Sequence, residues 1–188
     1  NMERRGLRTR GPGGYGTGPQ HPDPQGVAVD IAAIESRRQA IKRRMAELDR
    51  LSTSDARALD KAMTEMCALY AEYARSTVAL VAFEAYRTLV ERTPEDTGRA
   101  RASWNLNAEP SDAVPPAGDY PEFRGDVSAA VEQAIAKVGA DAELFSITSD
   151  LDYMPFLEAG WSEQAPAGFI ALTFREAAEQ LGQMAREA

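Results

Sequence analysis

Histidine and cysteine are almost absent from this chain of 188 residues, with His21 and Cys67 the single examples of each. One cysteine closes no internal disulfide and, with one histidine, builds no cysteine–histidine zinc site. His21 lies between Gln20 and Pro22 in a Gly- and Pro-rich stretch, where nothing supplies the tight positioning that acid–base catalysis demands. Cys67, next to Met66 and close to Leu69, reads as a small buried apolar residue rather than a nucleophile. Long apolar runs are missing too. The longest, residues 78–83, falls far short of the roughly 18 residues a membrane-spanning helix needs, and no apolar signal-peptide segment follows the N-terminus. The sequence therefore predicts a chain that neither spans a membrane nor carries an export signal.

What is present is a composition of 44% apolar and 27% charged residues, enough for a core, with a formal net charge of −8. That charge is unevenly placed. Residues 1–104 hold 17 Lys/Arg against 14 Asp/Glu, a balance of +3, whereas residues 105–188 hold 4 against 15, a balance of −11. An acidic surface repels phosphate, so the C-terminal half suits a passage through which DNA slides better than a grip on nucleic acid.

Residues 1–26 carry few apolar side chains to offset ordering entropy and read as a flexible Gly/Pro/Arg-rich tail. From Val27 the spacing turns helical: Val27, Ile31, Ile34, Arg38, Ile41, Met45 and Leu48 fall at intervals of four and three, one seam broken only by Arg38. Ser52, Thr53, Ser54 and Asp55 resemble a capping box, and no proline follows until Pro94, which allows a second helix of on the order of 55 Å. Its seam of Leu59, Met63, Met66, Tyr70, Tyr73, Val78, Val81 and Leu89 needs a partner, either the first helix folded back or a neighbouring subunit. Residues 27–92 thus form a helical hairpin or arm.

Beyond Pro94 and the Asp96-Thr97-Gly98 turn, the period switches to two, with Ala100, Ala102, Trp104 and Leu106 facing one way, which predicts a half-buried strand. Residues 108–123 hold four prolines and read as a long loop. Asp126 is placed to cap a short helix closed by Gly139, residues 143–149 read as a second strand, residues 153–159 as a helical turn, and the chain ends on an amphipathic helix with Ile170, Thr173, Phe174, Ala177, Leu181 and Met184 on one face. The expected fold class is α+β: long N-terminal helices, then a body over 93–188 with a few strands packed by helices.

Reactive constellations are few. Asp150, Asp152 and Glu158 lack calcium-loop spacing and read as solvated turn residues. Gly160-Trp161-Ser162-Glu163-Gln164 lacks the second glycine of a nucleophile elbow and has no histidine nearby. No catalytic residue, cofactor or metal is expected. Arg4, Arg5, Arg8 and Arg10 in the tail suit electrostatic contact with nucleic acid or simple solvation. The basic face of the first helix, Arg37, Arg38, Lys42, Arg43 and Arg44, leaves three readings open: solvated surface, contact with an acidic subunit, or a phosphate-binding surface.

Two stretches go beyond generic chemistry. Residues 93–104 include Thr93, Pro94, Asp96, Thr97, Gly98, Arg99 and Trp104; residues 153–168 include Tyr153, Pro155, Leu157, Glu158, Gly160, Trp161, Gln164, Pro166 and Gly168. In this order and separation they resemble the neck and tail-completion (tail terminator) proteins of long-tailed bacteriophages, the group related to minor tail protein Z. The likeness covers roughly residues 78–174, and the sequence departs from the pattern at Glu95 and Glu163. The resemblance implies a virion protein without enzymatic activity, found in the neck or tail and in the host cytoplasm during assembly. Its implied partners are copies of itself in a ring and other neck, connector or tail-tube proteins, with DNA passing through the channel without sequence-specific binding. It also implies that the motif residues serve structure and assembly.

Overall fold

A computed structural model of the chain describes residues 30–51, 55–109, 116–140 and 142–187. Helix α1 (Ile31–Asp49) is capped by the Asp30 carboxylate, which accepts from the Ala33 amide at 3.1 Å. Helix α2 (Ala56–Arg92) starts in the same way, Asp55 accepting from the Arg57 amide. It ends where Thr93 turns extended ahead of Pro94. Val27, Ser52, Thr53, Ser54 and the tail with His21 and its arginines lie outside the described residues.

The two helices run antiparallel. Arg37 pairs with Glu72, Arg38 donates to the Tyr73 hydroxyl at 2.9 Å, and Arg44 reaches Glu65 at 2.7 Å, so residue numbers fall along α2 as they rise along α1. Ile41, Met45 and Tyr73 form a small core with Met66 and Leu69. Its odd member is Arg38, buried among them with its guanidinium 4.7 Å from the Tyr73 ring centre. The seam is only partly covered: Leu59, Met63 and Tyr70 stay exposed, and Cys67 is exposed rather than buried as the sequence suggested. α1 packs on the Met66–Leu69–Tyr73 side of α2, which turns Cys67 to solvent.

The main core gathers on the C-terminal half of α2, where Phe83, Tyr86, Leu89 and Val90 meet Trp104, Val131, Ile135, Leu151, Met154 and Phe169. Around it lie α3 (Arg99–Ala102), strand β1 (Asn105–Asn107), a 3₁₀ turn at Pro121–Phe123, α4 (Ser128–Ala136), β2 (Ser146–Thr148), α5 (Met154–Glu158) and α6 (Phe169–Arg186). β1 and β2 pair antiparallel with Leu106 opposite Ile147. The architecture is mostly helical with one two-stranded sheet, an α+β arrangement.

Local predictions change in three places. The strand expected from Ala100 is a helical turn up to Ala102, and only Asn105–Asn107 is extended. Gly98 opens that turn in the left-handed region, and Arg-Ala-Arg-Ala favours helix, so tertiary context overrides a period-two pattern of small side chains. The second strand is shorter than 143–149, because only residues 146–148 find partners on the three-residue β1. α4 stops at Ala136 with Lys137 as its cap, ahead of Gly139. Asp126 sits one residue before the helix-initiating Val127 and accepts from both the amide and the hydroxyl of Ser128, which holds its carboxyl below the usual carboxylate range.

Candidate assembly surface

Thr93 is the hub of the first motif. It is buried, and its hydroxyl donates to the Leu89 carbonyl at 2.6 Å while accepting the Trp104 indole N–H at 2.7 Å. Its own carbonyl accepts from Arg101 Nε at 2.8 Å. Pro94 is buried beside it, whereas Asp96 is exposed. The Thr97 carbonyl takes the Tyr120 amide at 2.8 Å, and its hydroxyl takes the Arg99 amide. Gly98 has φ +79°, and a Cβ there would sit 2.0 Å from the Tyr120 carbonyl oxygen, so only glycine fits. Arg99 donates to the Pro116 carbonyl at 2.8 Å, tying the long loop to this turn. Trp104 packs in the core directly ahead of β1. Beneath it Tyr86 is buried, with its hydroxyl 3.4 Å from the Trp104 carbonyl, and desolvation raises its pKa to about 12.

The second motif builds α5 and the loop into α6. Glu158 is central: its two carboxylate oxygens accept from the Ile170 and Ala171 amides at 2.8 and 3.1 Å, and its carbonyl accepts from Gly168 at 2.8 Å. The side chain thus satisfies free amides at the positive end of α6. Gly160 (φ +86°) and Gly168 (φ +80°) make the two left-handed turns the return needs, and at Gly160 a Cβ would meet the Ala167 side chain at 2.9 Å. Leu157 packs against the main core. Gln164 joins the motifs, its side-chain oxygen accepting the Glu95 amide at 2.8 Å.

The rest of this motif faces outward. Trp161 is 76% exposed and Phe156 47%, their rings 4.6 Å apart between centres, with Tyr153 exposed one turn away and Pro155 and Pro166 also at the surface. Phe156 therefore stands on α5 and Trp161 on the loop that follows it, the two rings in contact and both with an open face toward solvent. Burial in an interface is the ordinary fate of such a patch.

The pairing of Glu95 with Arg101 is not legible in the sequence. Glu95 pairs with Arg101 at 2.5 Å and accepts the Gly125 amide at 2.6 Å, pinning the loop ahead of α4. Period two would turn Arg101 outward on a strand; its donation to the Thr93, Phe123, Gly125 and Glu91 carbonyls and to the Glu95 carboxylate follows from the helical turn. Glu163 remains exposed.

All five cations on α1 have partners within the hairpin: Arg37 pairs with Glu72, Arg44 with Glu65 and Glu47, Arg38 is buried against Tyr73, Lys42 lies 5.7 Å from the centre of the same ring, and Arg43 donates to the Gln39 carbonyl at 3.3 Å. The hydrogen-bonded Arg44 guanidinium lowers the Glu65 pKa. The acidic trio does not converge either, since among the described residues no group of three His, Cys, Asp or Glu side chains is placed to hold a metal ion, and Glu158 is occupied at α6. No helix among the described residues is long and apolar enough to cross a membrane.

Comparison with protein-family models, with curated proteins and with solved structures finds no match for this chain.

Proposed function

We propose that this chain is a structural virion protein of a tailed bacteriophage. It assembles with copies of itself into a ring at the head–tail junction or on the tail tube, around a channel for DNA. The observation that carries this reading is the exposed Phe156–Trp161 pair, on α5 and the loop after it, a segment anchored by Gln164, Glu158, Gly160 and Gly168. Rigid anchoring means that docking this edge orders little new chain, so the apolar gain is largely retained. A tryptophan of about 200 Å² that is three-quarters exposed gains about 3–4 kcal/mol when fully covered, the weight of an interface hot spot.

The helical hairpin serves as an arm on the body, and the acidic C-terminal half supplies a channel lining to which DNA does not adhere. Other neck, connector or tail-tube proteins complete the contacts. The rival reading is a nucleic-acid-binding assembly factor using the basic tail and first helix; at the helix it has less support because Arg37, Arg38 and Arg44 are engaged within the hairpin, and the tail arginines lie outside the described residues. Negative-stain imaging of the concentrated protein with a phage neck complex tests the proposal. Annular particles are expected; a persistent monomer that ignores the complex, joined by salt-sensitive binding to duplex DNA, would replace it with the rival.

A further inference from the structure

Helix α1 is held to the molecule by little apolar surface. Its buried apolar side chains are Ile41, Met45 and Leu48, and Ile41 and Met45 close with Tyr73 a small core that is separate from the main one. Of its apolar side chains only Ile31 and Ile34 reach the main core, and both stay partly exposed. Helix α2 is fixed quite differently: Phe83, Leu89 and Val90 in its C-terminal half are at most 1% exposed, enclosed with Val131 and Ile135 of α4 and Phe169 of α6.

Beside the small core lies Arg38, 5% exposed. Among the described residues no carboxylate pairs with it, and its Nε has no hydrogen-bond partner. A cation taken out of water without a counter-charge opposes closure of the hairpin. The Tyr73 hydroxyl and ring offset part of that cost, but the same ring also carries Lys42, one helical turn on, at 5.7 Å against 4.7 Å for Arg38. Like charges four residues apart on a helix repel. The ion pairs that favour closure, Arg37 with Glu72 and Arg44 with Glu65, sit at the surface, where Arg37 is 67% and Arg44 49% exposed, and solvent leaves such pairs weak.

We propose that α1 is a strap that lifts off α2 as a unit while the body stays folded, with the buried Arg38 setting the balance between closed and open arm. Opening returns Arg38 to water and separates it and Lys42 from the Tyr73 ring. It also bares Met66, Leu69 and Tyr73, next to Met63 and Tyr70, which are exposed already. The arm thus passes from a hairpin with a covered seam to a single projecting helix whose seam is open. α2 keeps its place because its C-terminal half is built into the main core. A minor state of this kind is populated at roughly 0.1–10%, and it opens below the free energy of global unfolding. The device belongs to the arm and stands whether or not the chain forms a ring.

Amide hydrogen exchange of the full-length protein, read by mass spectrometry, tests the strap. Amides of residues 36–49 should exchange about a hundredfold faster than those of residues 79–90, and to one common extent along the helix, because a unit opens at one free energy. Two variants separate the local opening from global unfolding. Arg38→Met with Tyr73→Phe removes the buried cation together with the hydroxyl it would orphan, and should slow exchange over 36–49 about tenfold. Val90→Ala weakens the main core, and should speed exchange over 79–90 about tenfold or more while leaving 36–49 unchanged. Exchange over 36–49 that accelerates with Val90→Ala would overturn the proposal, since α1 would then come away only when the whole chain unfolds. Protection that fades gradually toward the ends of α1 would overturn it in favour of fraying in place. An opening that ignores the Arg38 substitution would overturn the role of the buried cation.

Discussion

Replacing Gly98 with alanine separates the two costs that hold a glycine in place. At φ +79° any side chain suffers the left-handed penalty, roughly 1–2 kcal/mol, offset by about 0.4–1 kcal/mol from the stiffer unfolded chain. Gly168 has nearly the same φ, +80°, with open space where its Cβ would stand, so Gly168→Ala should cost only that difference, about 0.5–1.5 kcal/mol. At Gly98 the new Cβ would lie 2.0 Å from the Tyr120 carbonyl oxygen and 3.4 Å from Phe123 Cβ. The backbone at Tyr120 must retreat, which endangers the Tyr120–Thr97 hydrogen bond of 2.8 Å and the Phe123–Tyr120 bond of 3.0 Å, at about 1 kcal/mol each. Gly98→Ala should therefore lose about 2.5–3.5 kcal/mol, a fall of roughly 5–14 °C in Tm for a chain of this size. Urea denaturation with matched m-values measures both variants. Equal losses would refute the reasoning, since they would mean that the Tyr120 carbonyl does not crowd this turn.

Further outcomes follow from the same contacts. Glu158→Ala should destabilise by about 1–2 kcal/mol through loss of both acceptors at the start of α6, with Glu158→Gln losing less, as read by urea melts. Tyr86 has a folded pKa raised to about 12 from an unfolded value of 10, so its contribution to stability should be constant below pH 10 and fall by about 2–3 kcal/mol as pH rises from 10 to 12. Tyr86→Phe should abolish that fall. Arg38 is buried, and its Nε has no hydrogen-bond partner among the described residues, so the double variant Arg38→Met/Tyr73→Phe should match or exceed the wild-type melting temperature. A loss above about 2 kcal/mol would show that the buried cation stabilises the hairpin.

The parts of this fold that show in the sequence are those fixed by local rules. Asp55 and Pro94 bracket α2 because capping and the missing amide act on neighbouring residues, and the turn glycines at 98, 160 and 168 are legible because each adopts positive φ. Strand lengths were illegible, since β1 extends only as far as β2 pairs with it. Cys67 was misjudged because periodicity gives a face but not which part of it α1 covers. The motif residues divide in a way no string of letters displays: Thr93, Gly98, Trp104, Glu158 and Gln164 hold the frame, while Tyr153, Phe156 and Trp161 stand outside it. The link from Glu95 to Gln164 spans 69 positions and depends on the completed fold.

Mass photometry of the Trp161→Ala variant beside the wild-type protein tests the central claim most directly. Because Trp161 is 76% exposed, the substitution should change monomer stability by no more than about 0.5 kcal/mol. Wild-type protein is predicted to form a discrete closed oligomer, the variant to remain mostly monomeric at the same concentration, and Trp161→Phe to recover part of the assembly. An oligomer that forms equally well without the indole would contradict the account.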